Sequence, residues 1–344
     1  MKILVATSDV PFVEGGHRVL ARSLVAALKQ AGHDAEIFTT PQNRFGRQGA
    51  AYLATRFTDV GLTGNGEKVD RVISTRFPSY ALKHPHHVCW LIHRMREYYD
   101  LWPEWSARLS WRGKIKEGVR RSLIHTGDSY LLKHNVRKVF ALSKTVQHGL
   151  QKWGDVPSEV LYPPPAPRNY YTESYGDFIF SPSRLSPLKR IPLILEGLAL
   201  AKQGRLVIAG EGPDQDTLFD LVKANSLQDR VEFMGIVSDD QLASLYARCR
   251  AVYCAPVNED FGMITLEAFR SRKPVITTID SGGPAEVVLN GISGFVGPAT
   301  SQSIANSVTT VFEDKALAEK LGNAGYEETK NITWERTTER LLEA

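Results

Sequence analysis

Short apolar runs alternate with longer stretches of helical periodicity along most of the chain. Residues 2–7 form an apolar run, and apolar residues then recur at helical spacing up to Gly32, before a second run at 35–39. Apolar residues three and four positions apart lie on one face of a helix, whereas short continuous apolar runs are typical of buried strands. The pattern therefore predicts a β-α-β unit at the start of the chain.

The same alternation continues to residue 278 and is interrupted once. In the first half, strands are predicted at 71–75, 88–92 and 138–142. In the second half, they are predicted at 178–181, 205–209, 230–233, 251–255 and 274–278. Residues 161–167 contain four prolines, through which neither a helix nor a central strand can run. We expect domains at 1–162 and 163–330, with a last helix in 331–344 that packs back on the first domain.

Length and composition agree with a two-domain α/β protein. The chain has 344 residues, a net charge of +4 and 23% charged residues, which favours neither disorder nor a nucleic-acid partner. Cys89, Cys249 and Cys254 lack metal-ligand spacing and read as reduced core residues. No signal peptide or membrane span is predicted, so we expect a cytoplasmic protein, free or peripheral on the membrane.

The stretch 253–268 joins a predicted strand to a predicted helix, and it contains the strongest candidate chemistry. In a parallel sheet such junctions lie at the carboxyl edge, where ligands bind, and the N–H groups of a helix start suit a phosphate. The sequence predicts a helix from about Gly262, a residue that lets a diphosphate approach the backbone. Glu259 and Glu267 bracket this turn.

Glu259 and Glu267, with Phe261-Gly262 between them, resemble the signature of the retaining glycosyltransferases of family four. The resemblance implies a GT-B fold, in which two doubly wound Rossmann-like domains face a cleft. It implies that Glu259 contacts the transferred sugar, that the backbone after Gly262 holds the diphosphate, and that Glu267 binds the ribose. It also implies that the second domain binds a nucleoside diphosphate sugar and the first domain binds the acceptor.

Further motifs of that family occur in the same order, including an Arg-Leu pair and a lysine five residues after the arginine. Arg184 and Lys189 match the phosphate clamp, so neither a metal nor another cofactor is expected. Gly15-Gly16 resemble the family's first glycine loop; unlike G-x-G-x-x-G, they do not indicate a nicotinamide site. Residues 281–286 resemble a second glycine loop. The expected donor-binding set is Gly15, Gly16, Gly210, Met234, Gly235, Phe261, Gly262, Met263, Ile264 and Glu267.

Two residues depart from the family pattern. Arg272 stands where the family has a glycine that forms a left-handed helix cap. Val257 replaces a frequent serine just before Glu259. The first departure places the left-handed cap at the end of the helix in doubt, and the second could alter contacts with the sugar.

His93 follows a predicted strand directly, and the resemblance implies that it touches the donor sugar or the acceptor. A hydrogen-bonding structural role is the alternative. Residues 94–138 contain eleven basic and five acidic residues, interleaved with aromatic side chains. This composition suits a helix on an anionic membrane, where a lipid-linked acceptor would be met, and it equally suits a solvated helix whose aromatic residues face the core.

These features predict transfer of a sugar from a nucleoside diphosphate sugar to a carbohydrate or lipid-linked acceptor, with retention of configuration. Synthesis of cell-surface polysaccharide or glycolipid is the expected context. The catalytic residues would be Glu259, His93, Arg184 and Lys189. The rivals are a nucleotide-sugar epimerase of the same fold and a non-catalytic subunit that binds sugar nucleotides.

Overall fold

The computed structural model describes residues 1–9, 15–42 and 46–344. Residues 10–14, within the predicted turn before Gly15, lie outside this description. The described chain divides into two compact units, one made of 1–163 with 332–344 and the other of 164–331. The division falls inside the proline-rich segment 161–167.

The first unit contains a six-stranded parallel sheet in the order β2-β1-β3-β4-β5-β6. Its strands are β1 (Lys2–Asp9), β2 (Asp34–Pro41), β3 (Arg71–Ser74), β4 (His87–Leu91), β5 (Lys138–Ala141) and β6 (Glu159–Val160). Its helices up to residue 163 are α1 (Gly16–Gln30), α2 (Gln48–Phe57), α3 (Trp102–Ala107), α4 (Trp111–His134) and α5 (Lys144–Lys152). Short 3-10 turns occupy Ser79–Ala81 and Arg96–Tyr98.

The first β-α-β unit forms because its apolar residues share one helical face. Leu20, Leu24 and Leu28 of α1 are buried, as the periodicity predicts. Gly32 follows with a φ of 83°, a conformation that glycine adopts without steric cost. The chain then enters β2, which pairs with β1 in parallel.

The second unit contains another six-stranded parallel sheet, in the order β12-β11-β10-β7-β8-β9. Its strands are β7 (Phe178–Pro182), β8 (Arg205–Ala209), β9 (Val231–Phe233), β10 (Ala251–Tyr253), β11 (Val275–Thr278) and β12 (Gly294–Gly297). Its helices are α6 (Ile191–Leu200), α7 (Gln215–Ala224), α8 (Asp239–Arg248), α9 (Ile264–Arg270), α10 (Gly283–Val287), α11 (Ser301–Glu313) and α12 (Lys315–Thr329). A 3-10 turn occupies Pro187–Lys189.

The last helix, α13 (Trp334–Glu343), belongs to the first unit. Thr333 caps its start by accepting a hydrogen bond from the Arg336 N–H. The Trp334 ring meets the edge of Trp90, with ring centroids 6.2 Å apart. Arg71 donates a hydrogen bond of 2.7 Å to the Leu341 carbonyl. Aromatic packing and a backbone contact thus hold α13 on this unit.

The strand order of the second sheet fixes where a ligand site can form. The chain runs outward from β7 to β8 and β9, returns to β10 beside β7, and then continues outward on the other side to β11 and β12. The connections after β7 and β10 therefore leave in opposite directions and open a crevice between them at the carboxyl ends. Residues 183–190 and 254–263 border this crevice.

Arg272 adopts the left-handed conformation that the family pattern assigns to glycine, with a φ of 52°. Its guanidinium donates to Asn323 Oδ1 at 2.8 Å and lies 4.1 Å from the centroid of the Tyr326 ring. Tyr175 donates a hydrogen bond to its carbonyl. These contacts offset the cost that a side chain incurs in this region of φ, so the left-handed turn after α9 is kept without glycine.

Candidate active site

Lys189 and Glu259 meet at the switch point between β7 and β10. Lys189 Nζ lies 2.8 Å from Glu259 Oε1, and both side chains are about one-quarter exposed. The backbone reinforces the contact, because the Val257 N–H donates to the Leu188 carbonyl at 2.8 Å. The structure therefore joins the lysine expected at the diphosphate to the glutamate expected at the sugar.

The loop that holds Glu259 is fastened to the loop after β11. The Glu259 N–H donates to Ser281 O at 2.8 Å, and the Gly283 N–H donates to Glu259 O at 2.8 Å. A Cβ on Gly282 would lie 2.5 Å from that same carbonyl oxygen, so only glycine permits this approach. The second glycine loop thus fixes the backbone that presents Glu259.

Helix α9 begins at Ile264, two residues later than the sequence predicts. Gly262 has a φ of 74°, and a Cβ there would lie 2.7 Å from the Pro284 ring, so this glycine is required for the turn and its packing. Met263 occupies the position before the helix. Phe261 is only 3% exposed and belongs to the core of the turn. Contact between these residues and a donor stays a prediction.

Glu267 is buried on α9, and both of its carboxylate oxygens are hydrogen bonded inside the unit. Oε1 accepts a bond of 2.9 Å from an Arg168 Nη, and Oε2 accepts a bond of 2.7 Å from the Tyr246 hydroxyl. The sequence does not predict Arg168 or Tyr246 as a partner of Glu267. Arg168 lies directly after the prolines and Tyr246 lies on α8, so no local motif links either residue to Glu267.

Arg184 and Gly210 lie on the two loops that follow β7 and β8. Arg184 is exposed. Gly210 has a φ of 135°, and a Cβ there would lie 2.2 Å from the Ser183 carbonyl oxygen, so it packs the two loops backbone to backbone. Met234 and Gly235, which follow β9, are hydrogen bonded to β8 and to the loop after it. The Met234 N–H donates to Ile208 O and the Gly210 N–H donates to Gly235 O, both at 2.8 Å.

The remaining predicted residues belong to the first unit. Gly15 precedes α1 with an extended backbone, at a φ of −164°, and Gly16 is the first residue of that helix. His93 follows β4 and is half-buried, with Nδ1 2.6 Å from the Arg94 carbonyl oxygen. Burial, together with the positive charge of Arg76, lowers the pKa of His93 to about 3. His93 is therefore a neutral imidazole at physiological pH.

The two arginines next to His93 have structural partners. Arg94 is buried, donates a hydrogen bond of 2.6 Å to Gly149 O and stacks 3.9 Å over the Tyr99 ring. Arg96 pairs with Asp100 at 2.5 Å. These contacts give both side chains a structural role within the unit.

A group of three or more His, Cys, Asp or Glu side chains that could hold a metal ion does not occur in residues 1–9, 15–42 and 46–344. Cys89, Cys249 and Cys254 are free and buried. Burial raises the pKa of each of these thiols to about 12. These thiols therefore act as apolar core residues.

Known proteins resemble this chain in sequence over part of its length and in fold over nearly all of it. Residues 172–328 match the family described as glycosyl transferases group 1. An uncharacterized glycosyltransferase, MJ1607, of Methanocaldococcus jannaschii is 32% identical over 157 residues, which are 45% of this chain and 39% of MJ1607. The chain thus matches about two-fifths of that relative's length.

Two solved structures match along the whole chain. Anabaena Alr3699/HepE in complex with UDP and glucose has a TM-score of 0.69 at 19% identity, covering 100% of this chain and 98% of that one. Sucrose-phosphate synthase from Thermosynechococcus elongatus has a TM-score of 0.77 at 17% identity, covering 99% and 97%. Similarity at this level of identity concerns the fold.

The protein has the GT-B fold, as the sequence predicts. The match of residues 172–328 to the family described as glycosyl transferases group 1 confirms the resemblance that Glu259, Gly262 and Glu267 indicate.

Proposed function

We propose that this protein transfers a sugar from a nucleoside diphosphate sugar to an acceptor, with retention of anomeric configuration. The observation that carries this proposal is the contact between Lys189 and Glu259 at the switch point of the second sheet. An isolated surface ion pair would mean little. This pair joins two residues that match separate motifs of one family, within the region that matches that family.

The chemistry of the pair suits departure of a diphosphate. The leaving group gains negative charge as the bond to the sugar breaks, and a cation fixed beside it stabilises the transition state more than the ground state. Lys189 supplies that charge, and Arg184 adds a second cation from the same loop. Glu259 contacts the transferred sugar, and Glu267 binds the ribose. No divalent metal is required in this scheme. Retention is inferred from the resemblance to family four.

The proposal assigns the donor to the second unit and the acceptor, a carbohydrate or lipid-linked sugar, to the first. A nucleotide-sugar epimerase would use the same fold and donor but would release an isomer of the donor sugar. A non-catalytic subunit would bind the donor without turnover. The epimerase would make a different product from a transferase and the non-catalytic subunit would make none, and these differences give the test.

The test has two stages. Thermal shift with a panel of nucleoside diphosphates and their sugars, starting from UDP and UDP-glucose because the HepE complex holds UDP and glucose, identifies the donor. The preferred donor is then incubated with mixed glycan acceptors, and NMR follows the anomeric proton of the product. We expect a glycoside with the donor's anomeric configuration. An isomerised donor, an inverted product, or binding without turnover would contradict the proposal.

The first unit also presents an apolar stripe on α4. Its four residues are between 60% and 70% exposed and recur every fourth position, so they share one side of the helix. They are Trp111, Ile115, Val119 and Leu123. The other side of α4 buries Ile124, Asp128 and Leu132. The sequence left open whether the apolar residues of 94–138 face the core, and the structure divides them between the core and this stripe.

Charged residues beside the stripe indicate what it contacts. Arg108, Arg112, Lys114 and Lys116 are exposed around the start of α4. Apolar side chains flanked by cations suit the interface of an anionic bilayer, where each basic residue contributes about 1 kcal/mol. We propose that the stripe rests on an anionic membrane and brings the first unit to a lipid-linked acceptor. Within residues 1–9, 15–42 and 46–344, none of the helices is long and apolar enough to cross a bilayer.

A further inference from the structure

Arg168 forms a bridge between two helices of the second unit. Its Nε donates to Asp239 Oδ1 at 2.7 Å, at the start of α8, and its Nη1 donates to Glu267 Oε1 at 2.9 Å, on α9. The same Nη1 lies 3.3 Å from the Tyr170 hydroxyl oxygen. The Arg168 side chain is 16% exposed and that of Glu267 is 9% exposed, so solvent screens the Arg168–Glu267 contact only weakly.

We propose that Arg168 is the positioning residue for Glu267 and thereby sets the recognition of the nucleotide ribose. This inference rests on the proposed function, in which Glu267 binds the ribose. It adds a residue that the sequence motifs do not mark. Arg168 lies directly after the proline-rich segment 161–167 and not on one of the loops expected to bind the donor.

The carboxylate geometry explains how Arg168 would act. A carboxylate can accept about four hydrogen bonds. Arg168 and Tyr246 take one on each oxygen of Glu267, which fixes the plane of the group and leaves about two acceptor positions. Two neighbouring hydroxyls of a ribose could fill these. The Glu267 side chain keeps 9% exposure, so it is not fully sealed from solvent.

Charge gives Arg168 a second effect on Glu267. A buried carboxylate is costly without a paired cation and tends to take up a proton. Burial disfavours the charged form of Arg168, but the negative charge of Glu267 and hydrogen bonds to Tyr170 and Asp239 outweigh burial and raise its pKa. Without Arg168, Glu267 would lose its paired cation and retain neutral hydroxyl partners, Tyr246 and Tyr170. A carboxylate that has lost this cation and rotated accepts ribose hydroxyls less well.

The experiment compares two ligands that differ only at the ribose. Calorimetry measures the affinity for UDP and for 2′-deoxy-UDP, with GDP or ADP and their 2′-deoxy forms used if UDP does not bind. A hydrogen bond to a charged group corresponds to a preference of about ten- to hundred-fold for the ribonucleotide. The variants are Arg168→Ala, Arg168→Lys and Glu267→Ala. The matched control is Arg250→Ala, whose guanidinium donates to the backbone carbonyls of Gly176 and Val311 at 3.0 and 2.8 Å.

We expect Arg168→Ala and Glu267→Ala to lose the preference for the ribonucleotide over its 2′-deoxy form. Arg168→Lys should recover part of this preference. Arg250→Ala should retain it even if that variant is less stable than wild type. The folded fraction of each variant is checked by circular dichroism at the titration temperature. A preference lost in Glu267→Ala but kept in Arg168→Ala would refute the inference alone. A preference kept in Glu267→Ala, or no binding of any of the three nucleotides, would overturn the ribose assignment in the proposed function and this inference with it.

Discussion

Lys189 Nζ lies 2.8 Å from Glu259 Oε1, although the two residues follow different strands and are seventy positions apart in the sequence. Their contact crosses the point where the second sheet reverses its strand order. Each residue neutralises the other, and an incoming diphosphate would compete with Glu259 for the lysine. The pair thus links the site proposed for the leaving group to the site proposed for the sugar.

Replacement of Lys189 by alanine should slow transfer more than it weakens donor binding. Loss of one donor that acts on developing negative charge commonly costs about 100- to 1,000-fold in turnover. Arg184→Ala should act in the same direction. Steady-state kinetics with the donor found by thermal shift gives kcat and KM for both variants. Lys202→Ala, which removes an exposed lysine two residues after α6, serves as the control.

A requirement for metal would contradict this role for Lys189. The wild-type rate should stay the same in excess chelator, because in this scheme the charge of the leaving diphosphate is met by side chains. If the rate falls in chelator and returns with magnesium or manganese, the diphosphate is neutralised by an ion and the proposed role of the two cations is wrong.

Replacement of Glu259 and replacement of Glu267 should affect different steps, transfer in the first case and nucleotide binding in the second. Glu259→Ala removes the carboxylate proposed at the sugar, so turnover should fall while affinity for the free nucleoside diphosphate stays close to wild type. Glu267→Ala should weaken nucleotide affinity, with a smaller loss in turnover at saturating donor. Calorimetry and initial rates measure the two effects. Unimpaired affinity and turnover in both variants would exclude the assignment.

The first unit should lose stability as the pH falls below about 6.5. Burial lowers the pKa of both His87 and His93 to about 3, whereas an unfolded histidine titrates near 6.5. Between pH 6.5 and 3 the unfolded chain therefore binds more protons than the folded chain, and stability decreases as the pH falls. For the fully buried His87 the loss at pH 5 is about 2 kcal/mol.

Tryptophan fluorescence isolates this effect, because all six tryptophans lie outside residues 164–331 and therefore in the first unit. Urea unfolding at pH 7 and pH 5 should show a smaller drop for His87→Asn than for wild type. His148→Asn, on the exposed side of α5, should leave the drop unchanged. An equal drop in all three proteins would show that His87 is protonated in the folded state.

A charge in the stripe on α4 should release the protein from anionic vesicles. Leu123→Glu places a carboxylate in the apolar face, where it repels anionic lipid and cannot insert. Sedimentation with vesicles of phosphatidylserine and phosphatidylcholine should show binding by wild type that weakens with salt. Leu200→Glu, on a helix of the second unit at 53% exposure, is the matched control. Equal binding by both variants, or no binding by wild type at low salt, would exclude the stripe as the contact.

The sequence by itself determined the family signature and ten strands, whereas β6 and β12 were not predicted. Each predicted strand occurs within two residues of its expected ends, because a buried parallel strand requires a continuous apolar run that is visible locally. Glu259, Gly262 and Glu267 are also close together in the sequence, so their spacing could be read directly. Arg272 departs from the glycine of the family pattern, yet the left-handed conformation is kept, because contacts with Asn323 and Tyr326 hold it.

Only the tertiary structure decided which side chains meet. Arg168 reaches Glu267 from 99 positions away, and nothing in the local sequence of either residue specifies that contact. The stripe on α4 could not be separated from core aromatic residues, because periodicity gives the faces of a helix but not which face is covered. Partners distant in sequence are set by how strands and helices pack, and packing depends on the whole chain rather than on a local pattern.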